Sequence, residues 1–125
     1  MKYRFHYTGI RVRQLERSLE FYAGVLGMEV IDKGTMPHGG EYIHLRSPDS
    51  HQRLELNWYP EDSRFFTQYR KGEELDHLAF VVEDVEKAFE ELVEKGAKVA
   101  VAPSDSKDTE IYVEDPDGIW IELLE

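Results

Sequence analysis

Three side chains in this sequence have the types and the placement to hold a cation or move a proton: Glu55 in "RLELN", His77 in "LDHLAF" and Glu122 in "IWIELL". Carboxylate oxygens and imidazole nitrogens bind divalent ions without help from sulfur, and the same groups act as general acids and bases. Side chains along a strand alternate between two faces, so each of these stretches splits by parity. Leu54 and Leu56 form an apolar face, which leaves Arg53, Glu55 and Asn57 on the other. Ile119, Ile121 and Leu123 likewise leave Trp120 and Glu122 opposite, and Leu78, Phe80 and Val82 leave His77 beside the small Ala79. Near the start, "FHYTGIRV" offers two adjacent candidates. Tyr7 shares parity with Gly9 and Arg11, whereas His6 shares it with Ile10 and Val12, an apolar set suited to packing under a helix. Parity therefore puts Tyr7 with the polar groups, and a one-residue bulge would put His6 there instead.

The elements that carry these residues recur. "LERSLEFYAGVLG" spaces Leu15, Leu19, Tyr22 and Leu26 as one helical stripe and ends on Gly27. "VEKAFEELVEKG" repeats the design with Val85, Ala88, Phe89, Leu92 and Val93 before Gly96. An extended stretch precedes each helix, "YTGIRV" and "HLAFVV", and three follow it: "MEVIDKG", "EYIHLRSPDS" and "RLELNWY", then "AKVAVAP", "TEIYVEDPDG" and "IWIELLE". Setting Tyr7 against His77 aligns the halves, with one residue fewer in the second helix. The expected fold is α+β: two βαβββ modules, at about 1–58 and 75–125, joined by a connection at about 59–74 and paired around a concave site. His38, His44 and His51 read as loop or strand histidines. Trp58, Tyr59, Phe65 and Phe66 read as packing or dimer contacts, and Trp120 as a wall beside Glu122.

Bulk properties bound the function. A chain of 125 residues is about one domain, and 41% hydrophobic with 33% charged residues describes a globular protein. The absence of cysteine removes thiolate ligands and thiol nucleophiles, and a net charge of -11 disfavours nucleic acid and anionic membranes as partners. Without an export-like start, the expected location is the cytoplasm.

"FYAGVLGMEV", "LDHLAFVV" and "VEDPDGIWIEL" resemble the vicinal oxygen chelate superfamily, and in particular its glyoxalase I branch, over essentially the whole chain. The resemblance implies a site built around a divalent metal, with Glu55, His77 and Glu122 at three of four ligand positions and Tyr7, or a bulged His6, at the fourth. Nitrogen and oxygen donors suit Zn, Ni, Mn, Co or Fe. It further implies Glu122 and Glu55 as proton-transfer groups and Arg11 as the holder of a substrate carboxylate; parity adds Asn57 and Trp120 as substrate contacts, and Lys107 of the polar loop "SDSKDTE" is either a phosphate or carboxylate contact or a solvated loop lysine. The implied substrate is the hemithioacetal of a 2-oxoaldehyde such as methylglyoxal with a thiol, and the implied product a 2-hydroxyacyl thioester. The implied assembly is a homodimer with sites shared between chains. Epimerases and dioxygenases of the same superfamily, and metal-free binding proteins that confer drug resistance, are the alternatives.

Overall fold

The computed structural model describes residues 1–70, 73–103, 110–114 and 118–125. Its described elements run β1 (Arg4–Arg11), α1 (Leu15–Leu19) continued by a π-helical segment (Glu20–Val25), β2 (Glu29–Thr35), β3 (Glu41–Arg46), β4 (Leu54–Trp58), β5 (Leu75–Val81), α2 (Val85–Glu94), β6 (Lys98–Val101), β7 (Ile111–Glu114) and β8 (Trp120–Leu124). Strand, helix and three strands thus occur twice, as the repeat predicts. The chain divides into two compact units, one of Thr8–Asp76 and one of Met1–Tyr7 with His77–Glu125. β1 runs across the boundary, contributing its first residues to one unit and its last to the other.

In the Thr8–Asp76 unit, β1 pairs parallel with β4, β4 antiparallel with β3, and β3 antiparallel with β2. In the other unit β5, β8, β7 and β6 pair in the same pattern, with β5 parallel to β8. The registers also correspond: Gly9 lies opposite Glu55, and Ala79 opposite Glu122. A parallel pair needs a crossover, and the helix that provides it covers one sheet face. Val12, Ile43, Leu45 and Leu56 form the core of the first unit, with Ile10, Leu15, Leu19 and Tyr22 packed on it. Val82, Ala88, Ile111 and Leu123 form the second core, under Val85, Phe89 and Leu92. Each core uses one strand parity, which turns the glutamates to the opposite face.

The first helix differs from the regular α-helix expected from its stripe. From Glu20 to Val25 it is wound as a π-helix, with the Leu26 N–H donating to the Phe21 carbonyl at 3.0 Å. The repeat supplies the reason. This helix carries one residue more than its counterpart, and a single inserted residue is absorbed as a π-turn while the flanking elements keep their places. Both helices then stop on the expected glycines, Gly27 at φ 73° and Gly96 at φ 99°, a region that penalises any side chain with a Cβ. α2 is also capped at its start, where the Asp84 carboxylate accepts from the Lys87 N–H at 2.9 Å. The connection after β4 belongs to the Thr8–Asp76 unit: Tyr59 and Phe65 are buried there, and the Phe65 ring packs 4.2 Å from that of His38.

Candidate functional site

Tyr7, His77 and Glu122 meet in the unit that contains β5 and β8. The Tyr7 hydroxyl donates a hydrogen bond to Glu122 Oε2, and His77 Nε2 lies 3.0 Å from the same oxygen and 3.2 Å from the Tyr7 hydroxyl. All three are buried, with relative exposures of 5%, 1% and 5%. β8 positions the glutamate by pairing it with Ala79, whose small, fully buried side chain leaves room for a carboxylate on the same face. β5 sets His77 two residues earlier, and Tyr112, the antiparallel partner of Glu122 on β7, packs its ring 5.5 Å from the His77 ring. Trp120 is half-buried and stacks at a tilt on Tyr112, with ring centroids 5.3 Å apart. A buried carboxylate is costly unless it is hydrogen-bonded or paired, and here the Tyr7 hydroxyl donates to Glu122 with the His77 imidazole beside the same oxygen. Of the two adjacent candidates in β1, Tyr7 is the one bonded to Glu122. His6 is half-buried, its ring 5.2 Å from that of Tyr7.

The corresponding carboxylate of the other unit is also buried. Glu55, 6% exposed, has one oxygen 2.6 Å from His44 Nε2 and accepts from Asn57 Nδ2 at 2.7 Å with the other. His44 is placed by the β3–β4 hairpin, whose register sets it directly opposite Glu55. Reading His44 as an ordinary strand histidine overlooked this pairing. Counting back from Glu55 across the hairpin was the signal available, because the two residues share parity once the register is fixed.

Arg11 is engaged as well. Its Nε donates to Asp76 Oδ1 at 3.0 Å and its Nη1 to Thr67 Oγ1 at 2.6 Å, while the Tyr59 hydroxyl donates to Asp76 Oδ2 at 2.6 Å. Asp76 is 4% exposed and is a second polar residue that the motif reading passed over. β5 begins at Leu75, two residues before the expected strand, which brings Asp76 into the structured region. Burial first, and then the Asp76 carboxylate, push the Tyr59 phenol far above its ordinary value, so it remains a donor at any physiological pH.

The donors fit a divalent cation in part. An imidazole nitrogen, a carboxylate oxygen and a phenol oxygen within hydrogen-bonding distance of one another form a nitrogen and oxygen set of the kind that Zn and its first-row neighbours accept. The phenol is the weak member, since it must lose a proton of pKa about 10 to bind strongly. Within either unit, no third histidine, aspartate or glutamate among the described residues joins such a pair to make a metal-binding group. Lys107 lies outside the described residues, as do Asp115, Pro116 and Asp117 of the "DPDG" motif. No helix among the described residues is long and apolar enough to cross a membrane.

Comparison with known proteins adds relatives along the whole chain. The family model described as Glyoxalase/Bleomycin resistance protein/Dioxygenase superfamily matches residues 4–123. A probable lactoylglutathione lyase of Synechocystis is 34% identical over 127 residues, covering 95% of this chain and 92% of that protein. The lactoylglutathione lyase of Neisseria meningitidis serogroup A is 33% identical over 130 residues, covering 98% and 90%. Among solved structures, a hypothetical protein from Bacillus halodurans superposes with a TM-score of 0.77 at 22% identity, covering 98% of this chain and 94% of that one, a likeness of fold alone. A Streptomyces coelicolor methylmalonyl-CoA epimerase superposes with a TM-score of 0.73 at 25% identity, covering 96% and 94%. The duplicated βαβββ order and a family match that spans nearly every residue together make this chain a member of the glyoxalase/bleomycin resistance protein/dioxygenase superfamily.

Proposed function

We propose that the protein is a metal-dependent lyase of the glyoxalase I type, converting the hemithioacetal of a 2-oxoaldehyde and a thiol into a 2-hydroxyacyl thioester. The observation that carries this reading is the buried Glu122 carboxylate, which accepts from the Tyr7 hydroxyl and lies 3.0 Å from His77 Nε2. Relatives at 33% and 34% identity named lactoylglutathione lyase support it. In this reading His77 and Glu122 hold a divalent ion, with Tyr7 at a further protein position, and Glu55 is supplied by the other chain of a homodimer that shares its sites. When bound, such an ion stabilises negative charge on the substrate oxygens as a Lewis acid.

The chain's own residues then perform the proton transfer. Glu122 takes the proton from the carbon next to the carbonyl, leaving an enediolate, and return of a proton to the adjacent carbon gives the thioester. Glu55 of the second chain, fixed by His44 and Asn57, serves as the other carboxylate. Asn57 and Trp120 bound the substrate, and Arg11, oriented by Asp76 and Thr67, meets its carboxylate. The same reading gives a cytoplasmic homodimer that removes methylglyoxal, with light scattering the check on assembly.

A second reading has support from the Streptomyces coelicolor methylmalonyl-CoA epimerase, 25% identical and superposing with a TM-score of 0.73. An epimerase also abstracts a proton beside a carbonyl, so the same carboxylates would serve and only the substrate would differ. Elemental analysis of purified wild type and His77→Ala tests the metal site. The lyase reading expects stoichiometric metal in the wild type and its loss in the variant, and equal metal in both would sink it.

A further inference from the structure

We propose that the Thr8–Asp76 unit has a further binding groove, adjoining Arg11, for a small aromatic anion, in which Arg13 and Arg17 hold a carboxylate or phosphate against a wall formed by Phe21 and Tyr69. The groove has a volume of about 820 Å³ and is lined by residues at the end of β1, along the first helix and in the connection after β4. That volume suits a ligand of nucleotide size.

Its charge is opposite to that of the protein. The net charge is -11, yet among the described residues three of the chain's fifteen lysines and arginines, Arg11, Arg13 and Arg17, line this groove together with one acidic residue, Glu74. Asp76 balances Arg11 through their 3.0 Å contact, which leaves Arg13 and Arg17 against the single carboxylate of Glu74 and the described lining net cationic. Arg13 is steadied by donating from Nη2 to the Tyr69 carbonyl at 3.3 Å, and the Arg17 guanidinium has no hydrogen bond or ion pair among the described residues. A cleft of one sign on an oppositely charged molecule concentrates ions of the other sign, and guanidinium forks match carboxylate and phosphate geometry.

Two further observations point to an organic ligand. Phe21 is 48% exposed although it borders the groove, so a flat apolar group laid on it would leave water. The Tyr69 hydroxyl is buried with no hydrogen-bond partner among the described residues, an arrangement that costs free energy until an acceptor is supplied. Burial and Asp76 raise its pKa above the ordinary value, so it is a donor at neutral pH. Arg13, Arg17, Phe21 and Tyr69 have no part in the lyase reading, which uses only Arg11 of this lining, so the groove goes beyond it.

Calorimetric titration of the full chain with ADP and with naphthoate tests it, with naphthylmethanol as the neutral counterpart. We expect at least one anion to bind with a Kd below about 1 mM. Arg13→Gln and Arg17→Gln should each weaken binding about tenfold, and Tyr69→Phe about threefold. Tighter binding of ADP assigns the groove to phosphates and tighter binding of naphthoate to carboxylates. No binding of either anion, equal affinity for naphthylmethanol, or an unchanged affinity in Arg17→Gln would overturn the proposal. Arg17 is exposed, so its replacement leaves the fold intact.

Discussion

Replacing Asp76 with alanine removes the acceptor shared by Arg11 and Tyr59, and the structure gives the size of the effect. The Asp76 side chain is 2% exposed and that of Arg11 is 13%, so water cannot readily take the place of the lost carboxylate. Breaking a buried ion pair by deleting one partner costs about 3–5 kcal/mol, and the partial exposure of Arg11 places this case near about 3 kcal/mol. Unfolding entropy of about 2.1 cal/mol/K per residue amounts to about 0.26 kcal/mol/K for a chain of 125 residues, so the expected fall in Tm is about 11 °C. The assay is thermal unfolding followed by circular dichroism, with Asp76→Asn and Arg11→Met as companions. Asparagine keeps an uncharged acceptor and should recover about half of the loss. The double variant Asp76→Ala with Arg11→Met should cost less than the sum of the two singles by about 2 kcal/mol, because the second change removes the cation that the first stranded. A fall of less than about 3 °C for Asp76→Ala, about 1 kcal/mol on the same scale, would refute the network as a source of stability.

The remaining predictions concern neighbouring groups. Tyr59 has its pKa raised on folding by burial and by Asp76, so its contribution to stability is complete below the unfolded value of about 10. Above that pH the unfolded chain ionises while the native one does not, and stability falls as pH rises; Tyr59→Phe should flatten the decline by up to about 1.4 kcal/mol per pH unit, read from urea midpoints on either side of pH 10. An identical alkaline slope in the variant would contradict this account. His44→Ala should destabilise the protein by about 2 kcal/mol, because the Glu55 carboxylate stays buried with one donor fewer. His44→Gln should restore part of that loss through its amide N–H, and a His44→Ala protein as stable as wild type would show that the contact is idle.

What the sequence made legible was whatever has a short period. Parity separated Leu54 and Leu56 from Glu55 and Asn57, and the structure buries the leucine side under the helix as that alternation requires. The repeat located both helices and both glycine stops, but the stripe alone read the first helix as regular, and the π-turn that takes up its one extra residue was seen only in the structure. His44 was harder, because it depends on hairpin register, which is set by the loop between β3 and β4 and not by either strand alone. Asp76 was harder still. Its partners Arg11 and Tyr59 lie 65 and 17 residues away, and no local pattern marks an acceptor whose donors are brought in by tertiary packing. The pair at positions 6 and 7 shows the value of parity in a single case. Histidine is the more familiar ligand, yet alternation chose Tyr7, and Tyr7 is the residue whose hydroxyl meets Glu122.

Under the proposed lyase activity, Glu122 performs proton abstraction on a thiol adduct of a 2-oxoaldehyde. The most direct measurement is thioester formation from methylglyoxal and glutathione by the metal-loaded wild type and by Glu122→Gln, a variant that keeps the size of the side chain and removes its basicity. The account predicts turnover by the wild type and a loss of at least about a thousandfold in kcat for the variant, the scale of a general base. Comparable rates for the two proteins would contradict it.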